Sequence, residues 1–285
     1  MAETVTLFEV SPRDGLQNEA RQVPTADKIR LVDRLSACGF THIEVTSFVS
    51  PKWVPQMADA EKVMDGITRR PGTSYAALTP NLQGFERALQ ARADEVAVFA
   101  SASESFSQKN INCSIAESLD RFRPVLERAK AEGISVRGYV SCVTDCPYEG
   151  PVAPDAVAKV AQALGRMGCH QISLGDTIGA GTPDSIGRML DSVLAVLPAD
   201  RLAGHYHDTG GRALDNIAVS LDRGLRCFDG SVGGLGGCPY APGAKGNVAT
   251  EAVAAFLHAK GFATGLDLDR LAQAARFAQS LRSPE

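Results

Sequence analysis

The sequence of 285 residues predicts an α/β protein, a (β/α)8 TIM barrel that forms a single domain over residues 1–285. Eight short runs with strand-like composition alternate with longer amphipathic stretches over about 250 residues, as this barrel requires. No Pro- or Ser-rich linker and no internal repeat divides the chain. The alternative is a doubly wound open sheet, but that fold needs fewer strands, and the first turn, SPRDGLQNE, lacks the G-x-G-x-x-G motif that is usual there.

The strand predictions follow from short apolar runs that are bounded by turn residues. In chain order they are VTLFEV at 5–10, HIEVTSF at 42–48, SYAALT at 74–79, EVAVFAS at 95–101, SVRGYVSC at 135–142, QISLGD at 171–176, LAGHYHD at 202–208 and CFDGSV at 227–232. The helix predictions follow from apolar residues that recur at intervals of three and four, in segments that often begin with Thr, Asp or Pro and end with Gly. The clearest of these segments are 25–39, 80–93 and 154–168.

Composition argues against several classes of function. The formal net charge is −4 and no cluster of Lys and Arg lies among aromatic residues, so we expect no binding to nucleic acid. No apolar run approaches the ~18 residues of a membrane span, and the start, MAETVTLFEV, resembles neither a secretory signal nor an Arg-rich leader. We therefore expect a cytoplasmic protein that acts on a small molecule.

Seven cysteines are scattered along the chain, and we expect them to be reduced thiols. Cys142 and Cys146 have the spacing of half a metal clip. No second pair completes a zinc site, so the clip is the less favoured interpretation.

Residues at the carboxyl ends of the strands carry the chemistry of a TIM barrel. His205 and His207 lie two residues apart in the seventh predicted strand, so both point to the same face. Neutral imidazoles bind divalent ions well, Asp14 after the first strand supplies a carboxylate, and Asn247 after the eighth supplies an amide oxygen. These residues predict a Mg²⁺ or Mn²⁺ site. The alternative is a pair of core histidines that bond to the backbone.

Three further charged residues lie at or near predicted strand ends. Arg13 follows a buried strand directly and is a candidate to stabilise negative charge on a substrate oxygen; the alternative is a surface salt bridge. Glu44 interrupts the apolar run HIEVTSF, where a buried charge needs a partner or a catalytic role. Asp176, in SLGDTIGAGTP, is a candidate site residue, and the alternative is a cap of the helix that follows.

The segment GSVGGLGGCPYAPGAKGN, at 230–247, is rich in glycine, which predicts a mobile or tightly folded loop. Cys238 in this loop is expected to face the site rather than the core, and it is a candidate acid or base. A loop of this kind acts as a lid that excludes water from a reactive carbanion.

Motifs over nearly the whole chain resemble those of the 3-hydroxy-3-methylglutaryl-CoA lyase family, part of a wider group of metal-dependent lyases and Claisen-type barrel enzymes. They are EVSPRDGLQNE, TSFVSPKWVPQM, LTPNLQGFE, KNINCSI, VRGYVSC, CPYEG, ISLGDTIGAGTP, HYHDT and GGLGGCPYAPGAKGNVATE. The Arg-Asp and His-x-His pairs are shared with isopropylmalate-type synthases, whereas the cysteine loop GGCPYA is far more specific.

The resemblance implies a retro-Claisen cleavage of 3-hydroxy-3-methylglutaryl-CoA to acetyl-CoA and acetoacetate, as in leucine degradation and ketogenesis. It implies that the divalent metal is bound by Asp14, His205, His207 and Asn247. It further implies that Arg13 contacts the reacting acyl group and that Cys238 is the catalytic thiol. Glu44 and Asp176 are similar to the family's site carboxylates, and Asp176 is the first candidate for the base.

An acyl-CoA substrate also needs contacts for its CoA portion. Asn110 is a candidate substrate-binding residue, together with Lys52 and Lys109; plain solvated side chains are the alternative for all three. Barrel enzymes of this size commonly dimerise, so we expect a homo-oligomer, a dimer, although no exposed apolar stripe identifies the interface.

Three positions depart from the family's usual pattern. Ser11 stands where glycine is usual, Tyr206 where the animal enzymes have cysteine, and Gly210 where an aromatic residue is usual. Gly210 predicts a wider pocket. A lyase for a longer branched substrate, such as 3-hydroxy-3-isohexenylglutaryl-CoA, is therefore an alternative function. A Claisen synthase of the same group, a Schiff-base aldolase and a catalytically silent metal-binding barrel are the remaining alternatives.

Overall fold

A computed structural model describes residues 2–236 and 246–282, and these residues form a closed barrel of eight parallel strands. We number the strands β1–β8; their bounds are Thr6–Glu9, His42–Ser47, Ser74–Leu78, Glu95–Ser101, Ser135–Ser141, Gln171–Asp176, Leu202–Tyr206 and Cys227–Gly230. Each strand pairs with the next one along the chain, and β8 pairs with β1 to close the barrel. The predicted TIM barrel is confirmed, and all eight predicted strands overlap observed ones.

The described residues also contain ten α-helices, α1–α10, which surround the barrel. Their bounds are Thr25–Ala37, Ala60–Gly66, Leu82–Gln90, Glu104–Ile111, Ile115–Glu132, Pro154–Met167, Pro183–Leu194, Ala213–Asp222, Thr250–Ala259 and Leu268–Gln279. The helix α6 begins at Pro154 and is followed by Gly168, as its sequence predicts. None of the helices in the described segments is long and apolar enough to cross a membrane.

Alternate residues of each strand point either to the helices or into the barrel. In β1, Leu7 belongs to the large core between strands and helices, whereas Phe8 belongs to a small separate cluster inside the barrel. The interior also contains charged side chains, because Glu44, Arg137 and Asp229 are all buried. A buried charge needs a partner, and the partners of these residues lead to the candidate site.

Glu9, at the end of β1, joins the first and last parts of the barrel. Its buried carboxylate accepts hydrogen bonds from the backbone N–H groups of Ser11 at 2.9 Å and Val232 at 3.0 Å, and from the hydroxyl of Thr250 at 2.7 Å. Burial raises the pKa of Glu9 to about 7. Since Val232 follows β8 and Thr250 begins α9, these bonds hold the segment after β1 against the segments after β8.

The cysteines within the described segments are free thiols. Cys142 and Cys146 are buried, and the hydroxyl of Ser103 donates to the Cys146 thiol at 3.0 Å. Within those segments neither cysteine belongs to a group of side chains that could hold a metal ion. The metal-clip interpretation therefore has no support from their surroundings.

Candidate metal and catalytic site

Asp14 lies in a π-helical turn, Ser11–Gly15, directly after β1. Such turns are rare and often occur at functional sites. Gly236 packs against this turn with a φ of +92°, and a Cβ there would lie 3.1 Å from the Cα of Gly15 and 2.8 Å from Nδ2 of Asn247. Only glycine fits this position, and Gly236 is thus the point at which the glycine-rich segment packs against the turn that carries Asp14.

His205 and His207, at the end of β7 and just beyond it, point to the same side, as predicted. The Nε2 atom of His205 lies 3.4 Å from Nε2 of His207 and 4.0 Å from Oδ2 of Asp14. The ligand atoms of these three residues all lie within 4.8 Å of one another. Over residues 2–236 and 246–282, no other group of three His, Cys, Asp or Glu residues is placed to hold a metal ion.

Asn247, in the segment after β8, lies next to these three residues. We call Asp14, His205, His207 and Asn247 the metal group. Its Nδ2 donates to Oδ2 of Asp14 at 2.7 Å, and its backbone forms an isolated antiparallel bridge with His207. The structure thus brings the side chains of all four predicted ligands together, with the amide nitrogen of Asn247 directed at Asp14. Two imidazoles, a carboxylate and an amide are a donor set that fits a hard or borderline divalent ion. The buried Nδ1 of His207 has no hydrogen-bond partner in the described part of the chain.

The charge states of Asp14 and His207 suit a cation. Burial raises the pKa of Asp14, but Arg13 and the two histidines lower it more, so that the pKa lies well below its ordinary value. Burial and the neighbouring His205 lower the pKa of His207 to about 4. Near neutral pH the group therefore contains an ionised carboxylate and a neutral imidazole, the forms that bind metal ions.

Arg13 lies between two carboxylates. Its Nη1 donates to Oδ1 of Asp14 at 2.5 Å, and its Nε donates to Oε2 of Glu44 at 2.6 Å. The Tyr139 hydroxyl of β5 donates to the same Glu44 oxygen at 3.2 Å. Burial opposes the charge of Arg13, but both carboxylates raise its pKa further above the ordinary value. Since the Arg13 side chain is only 7% exposed, the surface salt bridge is excluded.

Asp176, the first candidate for the base, is not brought into this group. It pairs with Tyr206 across β6 and β7, and Gly175 pairs with His205. Paired residues of neighbouring parallel strands point to the same side, so Asp176 shares the side of Tyr206 and points away from His205. The Tyr206 hydroxyl lies 2.8 Å from the hydroxyl of Ser220 in α8, which identifies this side as the helix layer.

The contacts of Asp176 organise a loop. Its Oδ1 accepts from the hydroxyl of Thr144 at 3.1 Å, and its Oδ2 accepts from the backbone N–H of Gly181 at 2.9 Å. The residue that caps α7 is Thr182, whose side chain accepts from the Ser185 N–H. Asp176 therefore bonds to the loop between β6 and α7 and is not itself the cap of this helix.

Two charged residues deeper in the barrel were missed by the sequence reasoning. Asp229 of β8 lies 3.0 Å from Nδ1 of His205, and Arg137 of β5 binds the same carboxylate with two nitrogens. The sequence does contain a signal for both residues, because Asp229 and Arg137 each interrupt an apolar predicted strand, as Glu44 does.

The remaining predicted residues lie apart from the metal group or outside the described residues. Cys238 is outside the described residues. Asn110 is exposed in α4, and so is Lys109, whose Nζ lies 5.1 Å from the centroid of the Tyr148 ring. Lys52 is exposed in the segment after β2. The predicted CoA contacts therefore remain predictions.

Two of the family departures also lie away from the metal ligands. Tyr206 points to the helix layer, and Gly210 is exposed in the turn after β7. A Cβ at Gly210 would lie 3.0 Å from Nη2 of Arg212 and 3.1 Å from the Gly179 carbonyl oxygen. These neighbours are not metal-group residues, so the contacts do not support the expected widening of the pocket.

The sequence matches one protein family over nearly its whole length. The family model described as HMGL-like covers residues 4–278. The chain belongs to the HMGL-like family. A relative in this family, "3-hydroxy-3-isohexenylglutaryl-CoA/hydroxy-methylglutaryl-CoA lyase" of Pseudomonas aeruginosa, is 58% identical over 274 residues, which cover 96% of this chain and 91% of the relative. The predicted family is confirmed.

Solved structures of HMG-CoA lyases share the fold of this HMGL-like protein. The HMG-CoA lyase from Brucella melitensis is 64% identical, with a TM-score of 0.98 and 99% of both chains covered. An HMG-CoA lyase from Acinetobacter baumannii, in complex with coenzyme A and 3-methylmalate, is 38% identical, with a TM-score of 0.93; the match covers 99% of this chain and 93% of that one. The whole barrel is therefore common to these proteins.

Proposed function

We propose that this HMGL-like protein cleaves 3-hydroxy-3-methylglutaryl-CoA to acetyl-CoA and acetoacetate by a metal-assisted retro-Claisen reaction. The observation that carries the proposal is the group formed by Asp14, His205 and His207, whose ligand atoms lie within 4.8 Å of one another beside the buried Arg13. The 58% identity to the P. aeruginosa lyase supports this reaction. The coenzyme A in the A. baumannii complex supports an acyl-CoA substrate.

The ion that we propose is Mg²⁺ or Mn²⁺, held by Asp14, His205, His207 and Asn247. When bound, such an ion lowers the pKa of a hydroxyl group and polarises a carbonyl or carboxylate oxygen. Asp14 compensates part of the ionic charge, while Asn247 fixes the Asp14 carboxylate through the 2.7 Å hydrogen bond.

Arg13 is the residue that we propose to stabilise the acyl oxygen. Cleavage of the C2–C3 bond leaves negative charge on the thioester oxygen of the acetyl-CoA enolate. The Arg13 guanidinium is held at 2.5 Å by Asp14 and at 2.6 Å by Glu44, so it needs little reorganisation when this charge develops. A preorganised donor of this kind is typically the largest single contribution to catalysis.

The reaction also needs two proton transfers, one from the substrate hydroxyl and one to the acetyl carbon. We propose Cys238 as the group that protonates the carbon, directly or through water, on the basis of the family resemblance. The base role of Asp176 stays a prediction, and its hydrogen bonds to Thr144 and Gly181 argue against it.

The test is release of acetoacetate from 3-hydroxy-3-methylglutaryl-CoA by the purified chain. We expect EDTA treatment to abolish activity and Mg²⁺ or Mn²⁺ to restore it. His207→Ala should lower kcat at least about 1000-fold, because a catalytic metal contributes several kcal/mol. His258→Ala, at an exposed position in α9, is the matched control and should retain activity. Turnover that resists both EDTA and His207→Ala would exclude the proposed chemistry.

A longer branched substrate is the second candidate, because the P. aeruginosa relative is named for both the isohexenyl and the methyl compounds. Turnover of 3-hydroxy-3-isohexenylglutaryl-CoA and of 3-hydroxy-3-methylglutaryl-CoA should be compared on the same preparation. We expect the methyl substrate to have the higher kcat/KM. A preference for the isohexenyl substrate would reassign the specificity and leave the cleavage chemistry unchanged.

A further inference from the structure

Beneath the metal group, the barrel contains a buried carboxylate to which the proposed reaction gives no role. Oδ2 of Asp229 lies 3.0 Å from Nδ1 of His205 and accepts from the Ser173 hydroxyl at 2.9 Å. Arg137 donates to the same carboxylate with two nitrogens, at 2.6 Å to Oδ1 and 3.1 Å to Oδ2. The side chains of Arg137 and Asp229 are 0% and 1% exposed.

The types of donor and acceptor determine where the hydrogens lie in this chain of contacts. A guanidinium is a cation with donors only, so its two-nitrogen pair with Asp229 stabilises the ionised form of this carboxylate. An ionised carboxylate cannot donate, so Nδ1 of His205 must carry the hydrogen of their shared bond. In the neutral imidazole, Nε2 then keeps its lone pair, and Nε2 is the atom that faces His207 and Asp14.

Arg137 is itself held from several directions. Its Nε donates to Oε1 of Gln171 at 3.0 Å, and its Nη1 donates to the Tyr139 hydroxyl at 3.0 Å. Its guanidinium carbon lies 4.0 Å from the centroid of the Phe8 ring. Because the guanidinium is fixed, the Asp229 carboxylate and the His205 ring bonded to it are fixed as well.

We propose that Arg137 and Asp229 are positioning residues for the divalent ion: they fix the ring orientation and the Nδ1–H tautomer of His205 and thereby set the metal affinity. The inference rests on the metal site of the proposed function but not on the identity of the substrate. Removing the hydrogen-bond partner of a metal-binding histidine typically weakens metal affinity about 10- to 100-fold.

The first test is a Mn²⁺ titration of the full chain. Binding is monitored through the electron paramagnetic resonance signal of free Mn²⁺. Asp229→Asn should raise the Kd for Mn²⁺ about 10- to 100-fold. The lyase activity that this variant loses should return as Mn²⁺ is raised, with little change in the KM for the acyl-CoA. A structural defect alone would not be corrected by added metal.

Glu95→Gln is the matched control. Glu95 is also a buried carboxylate bonded to a histidine, at 2.7 Å from Nε2 of His170, but it lies at the opposite end of the barrel. The Glu95→Gln substitution makes the same change from carboxylate to amide, but next to a histidine that is not a predicted ligand. The Kd of this variant for Mn²⁺ should stay within about twofold of wild type, because Glu95 makes no contact with the metal group.

A second variant and a second measurement apply even if Asp229→Asn does not fold. Arg137→Lys keeps the charge and loses the two-nitrogen contact, so it should weaken Mn²⁺ binding less than Asp229→Asn does. Nitrogen-15 NMR of histidine-labelled, metal-free wild type should report the Nδ1–H tautomer for His205, assigned by comparison with His205→Asn.

An unchanged Kd for Mn²⁺ in Asp229→Asn or Arg137→Lys, or an Nε2–H tautomer of His205, would overturn the inference. Wild type that binds no Mn²⁺ would overturn both this inference and the proposed function. Wild type that binds Mn²⁺ tightly but releases no acetoacetate contradicts the proposed function alone.

Discussion

Glu44, in the middle of β2, and Asp176, at the carboxyl end of β6, are two buried carboxylates, and their surroundings differ. Both are 0% exposed, and burial raises the pKa of each. Glu44 points into the barrel, where it accepts from Arg13 and Tyr139. Asp176 points to the helix layer, where it accepts from the backbone of Gly181. Burial and a raised pKa are therefore not enough to identify a catalytic carboxylate.

The face of the strand on which a residue lies makes the difference. A shift of one residue moves a side chain from the interior to the helix layer. The interior face of β2 places Glu44 next to the metal group, whereas the register of β6 against β7 pairs Asp176 with Tyr206. The comparison predicts large effects on catalysis for interior residues and effects on stability for residues of the outer face.

Among the variants that test this comparison, the largest effect is expected at Arg13, the interior partner of Glu44. Arg13→Gln should lower kcat about 100- to 1000-fold, because it removes a preorganised charge from the reacting oxygen. Arg87→Gln is the matched control, since Arg87 also pairs with a glutamate, Glu61, but on the surface. Steady-state kinetics on both variants would separate the two cases. An Arg13→Gln enzyme within threefold of wild type would remove Arg13 from the mechanism.

The second prediction compares the two carboxylates directly. Glu44→Gln should lower kcat about 10- to 100-fold, because a hydrogen bond to a charged group contributes about 1.5–3 kcal/mol to holding Arg13. Asp176→Asn should keep kcat within about threefold of wild type, since an amide oxygen can still accept one of its two hydrogen bonds.

Unfolding measurements complete this test. Asp176→Ala should lower the free energy of unfolding by about 1–3 kcal/mol, because it leaves the buried Gly181 N–H without its acceptor. A large loss of kcat in Asp176→Asn with unchanged stability would restore Asp176 as the base.

The smallest effect is expected at Gly210, which is exposed and lies next to Arg212 and the Gly179 carbonyl. Gly210→Ala should change the ratio of methyl to isohexenyl turnover by less than about tenfold. A substitution that alters the lining of a substrate pocket typically changes such a ratio by more than this. Competition between the two substrates measures this ratio. A larger change would place Gly210 in contact with the acyl chain.

The fold and the grouping of the candidate metal ligands were predictable because their signals are local. His205 and His207 lie on one strand at a spacing of two, so their common direction follows from the sequence alone. Asp14 was predictable because chemistry in a TIM barrel lies at the carboxyl ends of the strands. The resemblance to the HMGL-like family added the identity of the reaction.

The interior network was not predictable from one sequence. The contact of Asp229 with Arg137 joins β8 to β5 across the barrel, and neither spacing nor periodicity specifies such a pair. The direction of Asp176 depends on the register between β6 and β7, which is set by packing in three dimensions. Residues at strand ends are therefore predictable from one sequence, whereas partners across the barrel are not.

The bonds of Glu9 to Ser11, Val232 and Thr250 bear on when the protein becomes active during its synthesis. The ribosome releases Ser11 well before Thr250, and nascent domains fold from the amino terminus as they emerge. Because the segment that carries Asp14 is anchored to Val232 and Thr250, it can take up these contacts only after both residues have been synthesised.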